Sequence, residues 1–146
     1  MGNMIVVLDT NVVVAGLRSS TGASFRILDM IAAGSVDFAL SVPLFLEYED
    51  VLKRPAMRRA LGLSVPDVDT VLDVLAAKSR NTKLHFLWRP QLRDPKDEMV
   101  LETAANAGAR AIVTFNRSDF LPAATAFKLD VIFPKDYLAH TRRASP

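Results

Sequence analysis

The sequence contains no cysteine and only two histidines, and its apolar runs are all short. Without cysteine, the chain forms neither a disulfide nor a thiolate metal site. His85 and His140 lie away from the main acidic segments, which argues against a Ser-His-Asp triad and a histidine-rich zinc site. No apolar run approaches the roughly 20 residues that span a bilayer, and the first residues lack the basic start of a secretory signal. A cytoplasmic location without membrane contact is therefore expected.

Half of the 146 residues are apolar and 23% are charged, which is typical of a folded chain and fits one domain over residues 1–146. Residues 88–95, with two prolines, predict a loop. Apolar runs predict strands at 4–8, 38–40, 83–87, 111–114 and 131–133. Helical spacing predicts helices from a Ser24 cap to Gly34, and over 43–53, 65–78 and 96–107. This alternation predicts an α/β fold, in three α/β/α layers around a parallel sheet of about four to five strands.

Acidic residues stand where such a sheet would bring them together. Asp9 ends the first apolar run, and Glu47 lies in the helix after the second. Asp97 opens the helix before the run at 111–114, and Asp119 follows that run. Ligands of open parallel sheets bind beyond the carboxyl ends of the strands, and converging carboxylates suit a hard cation such as Mg²⁺ or Mn²⁺. The pattern predicts metal-assisted chemistry on a phosphate ester.

Several of these acids also have a purely structural interpretation. Asp9 can cap the helix that follows it. Asp94 is a natural N-cap, Pro95 suits the first helical position, and Asp97 then faces the helix dipole. Residues 116–119 repeat this pattern, with an asparagine as the cap. Caps of crossover helices gather at the same sheet edge as a metal site, so their positions alone do not separate the two interpretations.

Helical periodicity leaves the choice between Glu47 and Glu49 open. Both flank the apolar stripe of their helix about equally. Glu47 lies in the second turn, beyond easy capping range, which favours a metal site over caps alone.

Four segments together resemble those of PIN-domain proteins, and most of all VapC-like toxins of bacterial toxin–antitoxin modules. The segments are VLDTNV at 7–12, SVPLFLEYEDVL at 41–52, RDPKD at 93–97 and VTFNRSDF at 113–120. The resemblance spans nearly the whole chain in the expected order. It implies a PIN-like fold and an endoribonuclease that depends on Mg²⁺ or Mn²⁺. The metal-binding and catalytic acids that it implies are Asp9, Glu47, Asp97 and Asp119.

The same resemblance implies Glu47 rather than Glu49 as the site glutamate. It also implies a polar lining of Asn11, Thr114 and Asn116. Some relatives carry an aspartate where Asn116 stands, so the resemblance implies Asp119 as the fourth acid of this chain. The implied partners are an RNA substrate, an antitoxin protein and a second copy of the chain.

A short basic segment contains Lys53, Arg54, Arg58 and Arg59, in a chain whose net charge is +2. It follows the helix that carries Glu47, so Arg54, Arg58 and Arg59 are candidates for holding the RNA backbone. The alternative is a solvated surface whose arginine stems lie over apolar groups.

Two other functions stay open. The segment Leu8–Val12 is also similar to the strand end of phosphatases with an aspartyl nucleophile, of the haloacid-dehalogenase type. Such enzymes ordinarily need a second aspartate where Asn11 stands, and an amide cannot transfer that proton. The other alternative is a PIN fold without catalytic activity that binds RNA or a protein.

Overall fold

A computed structural model describes residues 4–85 and 92–144. Side chains are described within these ranges up to residue 141. The strands of this part are β1 (Val6–Leu8), β2 (Ala39–Leu40), β3 (Arg80–Asn81), β4 (Ala111–Val113) and β5 (Asp130–Ile132). The helices are α1 (Thr10–Arg18), α2 (Ala23–Ala32), α3 (Val42–Lys53), α4 (Pro55–Leu61), α5 (Val65–Lys78), α6 (Pro95–Ala107), α7 (Arg117–Phe120), α8 (Ala123–Ala126) and α9 (Pro134–Ala144). None of the described helices is long and apolar enough to cross a membrane.

All strand pairs are parallel. The sheet has the order β1-β4-β5, with Leu8 opposite Val113 and Val113 opposite Ile132. A second parallel pair joins β2 to β3, and a bridge between Val6 and Phe38 links this pair to β1. The predicted α/β fold with a parallel sheet is confirmed, with three strands in the sheet and two in the adjoining pair.

Helices cover both faces of the sheet. Successive side chains of a strand point to opposite faces, and Val6, Val7 and Leu8 of β1 are all fully buried. The three residues of β4 are buried in the same way. Continuous apolar runs are the sequence pattern of such doubly covered parallel strands.

Local capping chemistry explains where the longer helices begin. Ser41 Oγ accepts a hydrogen bond from the Leu44 amide at 3.3 Å, at the start of α3. Ser64 and Asp67 form a capping box that starts α5, whose bounds agree with the prediction. Asp94 accepts from the Lys96 amide at 2.9 Å and caps α6.

Three predictions of secondary structure need correction. The predicted Ser24 cap is wrong, because α2 begins at Ala23 with Gly22 as its N-cap and Ser24 is buried within the first turn. Pro55 ends α3 as predicted but also starts α4, since proline suits the first helical position. Helix α1, which begins directly after Asp9, was not among the helices predicted with bounds.

The third strand lies earlier than predicted. It is formed at Arg80–Asn81. The Arg80 amide donates to the Phe38 carbonyl at 2.8 Å, and the Thr82 amide donates to the Leu40 carbonyl at 2.9 Å. Its side chains are exposed, so no apolar pattern marks it. Residues 83–85 have no regular structure, and the rest of the predicted strand, 86–87, lies outside the described residues. Residues 88–91 of the predicted loop also lie outside them.

Candidate active site

A cavity of ≈ 500 Å³ lies at the carboxyl ends of β1 and β4, between α1, α3 and the start of α6. Its acidic lining consists of Asp9, Glu47, Asp94, Asp97 and Asp119. The four acids singled out in the sequence therefore share one cavity. They reach it from four different elements because the carboxyl ends of parallel strands meet at one sheet edge.

Asp9 is the most enclosed of the acids that follow a strand. Although it occupies the N-cap position of α1, its side chain makes no capping hydrogen bond there. Its Oδ2 instead accepts a 2.7 Å hydrogen bond from Thr114 Oγ1. Burial raises the pKa of Asp9, and the bonds from the Thr114 hydroxyl and the Thr10 amide oppose that rise. The Asp9 carboxylate therefore does not cap α1, contrary to the structural interpretation of this residue.

Glu47 faces the cavity and Glu49 does not. Glu47 is buried, and this burial raises its pKa, against the lowering effect of the Lys96 charge. Glu49 is half-exposed and forms an ion pair with Lys53 at 3.0 Å. Two residues along an α-helix are about 200° apart around its axis, so only one of these glutamates can face the sheet edge. The packing of α3 thus decides what helical periodicity left open.

Asp97 lies half-buried in the first turn of α6. Burial, followed by repulsion from Asp9, Asp94 and Asp119, raises its pKa from 3.8 to about 7. The capping role of this segment belongs to Asp94, which lines the same cavity. In the absence of a cation, burial and the neighbouring carboxylates therefore disfavour the ionised form of Asp97.

The three polar residues singled out in the sequence differ in their placement. Asn11 and Asn116 line the cavity, whereas Thr114 is fully buried behind Asp9. Asn11 Oδ1 is buried, and no hydrogen-bond partner for it lies within the described part of the chain. Asn116 occupies the N-cap position of α7 without a capping hydrogen bond from its side chain, so its predicted capping role is wrong.

Two cations and an aromatic ring that sequence reasoning missed also line the cavity. Lys96 immediately precedes Asp97, and Arg18 lies seven residues after Asn11, on the same face of α1. Phe115 follows Thr114 at the end of β4 and is 46% exposed. The i, i+7 spacing from Asn11 was the signal that could have identified Arg18.

The basic segment at 53–59 adjoins the cavity only through Met57. Lys53 is ion-paired with Glu49 and with Asp69, at 3.0 and 2.8 Å, and Arg54 is paired with Asp50 at 2.7 Å. Arg58 donates from Nε to the Lys53 carbonyl at 3.2 Å. Arg54, Arg58 and Arg59 do not belong to the lining, so a role in holding RNA backbone stays a prediction.

The donors of the cavity fit a hard divalent cation by their chemistry. They are carboxylate and amide oxygens, among them the unpartnered Asn11 Oδ1, in a chain without cysteine. Within the described residues, no group of three or more aspartate, glutamate or histidine side chains is arranged to hold a metal ion.

Comparison with known proteins agrees with this architecture. Residues 5–118 match the family model described as PIN domain. No curated protein sequence matches the chain significantly. The fold is similar to that of a chain in the crystal structure of VapBC2 from Rickettsia felis bound to a DNA fragment from their promoter. The TM-score is 0.59 at 18% identity, over 88% of this chain and 97% of that one. Because the family model covers well over half of the sequence, the chain belongs to the PIN-domain family.

Proposed function

We propose that this protein is a divalent-metal-dependent endoribonuclease, with the acidic cavity as its active site. The observation that carries the proposal is the convergence of Asp9, Glu47, Asp97 and Asp119 on one cavity in a PIN-domain chain. Three of these acids have a raised pKa, chiefly because burial disfavours their charged forms, and a bound cation would offset that cost.

Asp9, Glu47 and Asp97 would hold Mg²⁺ or Mn²⁺ directly or through water, and Asp119 would complete the set or hold a second ion. When bound, such an ion would lower the pKa of the attacking water and would neutralise charge on the phosphate. Thr114 orients Asp9 through its hydrogen bond, and Asn11 offers its free oxygen to the hydrated ion or the substrate. Lys96 and Arg18 bring positive charge to a phosphate in the same cavity.

A cleavage assay with the purified protein tests the proposal. Single-stranded RNA of mixed sequence is incubated with Mg²⁺, Mn²⁺ or EDTA, and release of phosphate from a small phosphate ester is measured in parallel. We expect RNA cleavage that requires a metal and no phosphate release. Phosphate release without RNA cleavage would favour the aspartyl phosphatase. RNA binding without either activity would favour a PIN fold that only binds.

The family and the fold also support a proposal about the biological role. We assign to the protein the role of a VapC-like toxin in the cytoplasm, held by an antitoxin protein and able to pair with a second copy of itself. Its similarity in fold to a chain of VapBC2 supports this role. Expression alone should arrest growth, whereas expression of the Asp9→Asn variant or co-expression of the neighbouring gene product should not. Sedimentation velocity of the purified chain reports the self-association.

A further inference from the structure

A second cavity, of ≈ 450 Å³, adjoins the acidic one. Both are lined by Ala15 and Phe115, so the side chain of Phe115 borders the two spaces. The second cavity lies between the end of α1, the start of α2 and the residues that follow β5. Its remaining lining is Ser19, Gly22, Ala23, Ser24, Phe133, Pro134 and Lys135.

The lining of this cavity is mostly apolar and includes two aromatic rings. Phe115 is 46% exposed, although it is a large apolar residue. The Arg117 guanidinium lies 5.4 Å from the ring centre of Phe133, and Arg117 is itself held by a hydrogen bond from its Nε to the Val131 carbonyl at 2.8 Å. A cavity of this size with two aromatic rings in its wall is suited to a flat ring system.

A buried hydroxyl provides a polar contact in the same lining. Ser24 is 4% exposed, and within the described residues its Oγ has no hydrogen-bond partner. A buried polar group without a partner is costly, and a ligand that bonds to it removes that cost. Lys135, exposed in the lining, adds a cation that suits a phosphate.

From these features we infer that the second cavity is a base-binding subsite, which holds a nucleobase next to the scissile phosphate of the RNA. The base stacks on Phe115, its edge meets the Ser24 hydroxyl, and the phosphate on its far side lies near Lys135. The inference rests on the proposed ribonuclease function, because it takes the neighbouring acidic cavity as the place of cleavage. A base in this position gives the enzyme a preference among nucleotides at one side of the cut.

Binding to a cleavage-incompetent protein tests the subsite without metal chemistry. Asp9→Asn protein in EDTA is titrated with short single-stranded RNA that carries 2-aminopurine at successive positions, and anisotropy and fluorescence are recorded. Base stacking on an aromatic ring accounts for about 5- to 150-fold in affinity, so adding Phe115→Ala should weaken binding by a factor in that range. Phe115→Trp should retain the affinity. Leu121→Ala, which removes an apolar side chain of similar exposure outside the cavity, is the matched control and should bind as the parent does.

A second measurement addresses the choice of base. In the otherwise unmodified enzyme, Ser24→Ala should reduce the difference in kcat/KM among the four homopolymeric RNAs, while the exposed Ser35→Ala should not. Equal RNA binding by Phe115→Ala and its parent would overturn the subsite. So would loss of binding to an antitoxin protein with RNA binding intact, because that result makes Phe115 part of a protein interface. If the unmodified protein cleaves no RNA under any condition, the proposed function fails first; cleavage that is indifferent to Phe115 defeats only the subsite.

Discussion

Thr114 and Asp9 are joined by a 2.7 Å hydrogen bond across the carboxyl ends of β4 and β1. The same threonine hydroxyl accepts from the Asn116 amide at 2.9 Å, so one buried side chain ties the candidate active-site acid to the loop after β4. The bond holds the pKa of Asp9 below the value that burial alone would cause. In the proposed mechanism, Thr114 is therefore a positioning residue that acts through Asp9.

Replacing Thr114 with valine should weaken metal binding. The change keeps the shape but removes the hydroxyl, so the pKa of Asp9 rises and its carboxylate is freer to turn. Loss of such an outer partner typically costs about 10- to 100-fold in metal affinity or activity. Isothermal titration with Mn²⁺ over a range of pH should show a lower affinity and a midpoint moved to higher pH. Thr114→Ser, which retains the hydroxyl, should restore both, and a valine variant with parental affinity and pH profile would contradict the role.

Asp97 should make the metal-free protein less stable as pH rises. Its pKa is about 7 in the folded chain, against an ordinary value of 3.8 for an aspartate that is free in water. Between these two pH values the folded state keeps a proton that the unfolded state has lost, so stability falls as pH rises through this window. Asp97→Asn removes this contribution. In EDTA the variant should melt a few degrees above the parent at pH 8 and at the same temperature below pH 4.

Thermal melts from pH 4 to 8 check that prediction, with the exposed Asp73→Asn as the control that should follow the parent. Metal binding should reverse the trend, since the ion requires the deprotonated carboxylate and its binding releases protons. A parent melting temperature that rises with pH in EDTA over this window would contradict the assignment.

The two glutamates of α3 form a matched pair of variants. Glu47→Gln removes a carboxylate from the cavity and should lower RNA cleavage by at least about 100-fold, the scale on which enzymes slow when one electrostatic stabiliser is lost. Glu49→Gln removes an ion pair with Lys53 at the surface, so cleavage should be unchanged and stability should fall by no more than about 1 kcal/mol. Initial rates and denaturant titrations measure both. A large loss in Glu49→Gln with none in Glu47→Gln would overturn the orientation of α3.

Two buried serines should respond in opposite ways to alanine. Ser24 Oγ lacks a partner within the described residues, so Ser24→Ala should leave the free protein as stable or raise its stability by about 1 kcal/mol. Ser41 Oγ accepts from the Leu44 amide and is bonded to Thr103 Oγ1 at 2.7 Å. Ser41→Ala should therefore destabilise by about 1–2 kcal/mol. Urea titrations measure the free energy of unfolding of both variants, which should share the same dependence on urea concentration. Equal destabilisation of the two variants would show that Ser24 has a hydrogen-bond partner in solution.

Much of the secondary structure is determined by the sequence through local chemistry. Ser64, Asp67 and the apolar spacing that follows define α5, and the continuous apolar runs of β1 and β4 predict strands that are buried on both faces. Strand β3 escapes such reasoning, because its two residues are exposed and its backbone bonds to β2 alone make it a strand. No side-chain pattern encodes a strand of that kind.

The candidate site also has features that the sequence predicts and features that only the tertiary structure decides. That Asp9 and the acids near β4 gather at one edge follows from the parallel direction of the strands, which the alternation of strands and helices already predicts. The separation of Glu47 from Glu49, the presence of Arg18 in the acidic cavity and the unpartnered hydroxyl of Ser24 were decided only in the tertiary structure. Each depends on the face that a helix turns to its neighbours. That rotation is set by packing among elements distant in sequence, which the residues of a single helix do not specify.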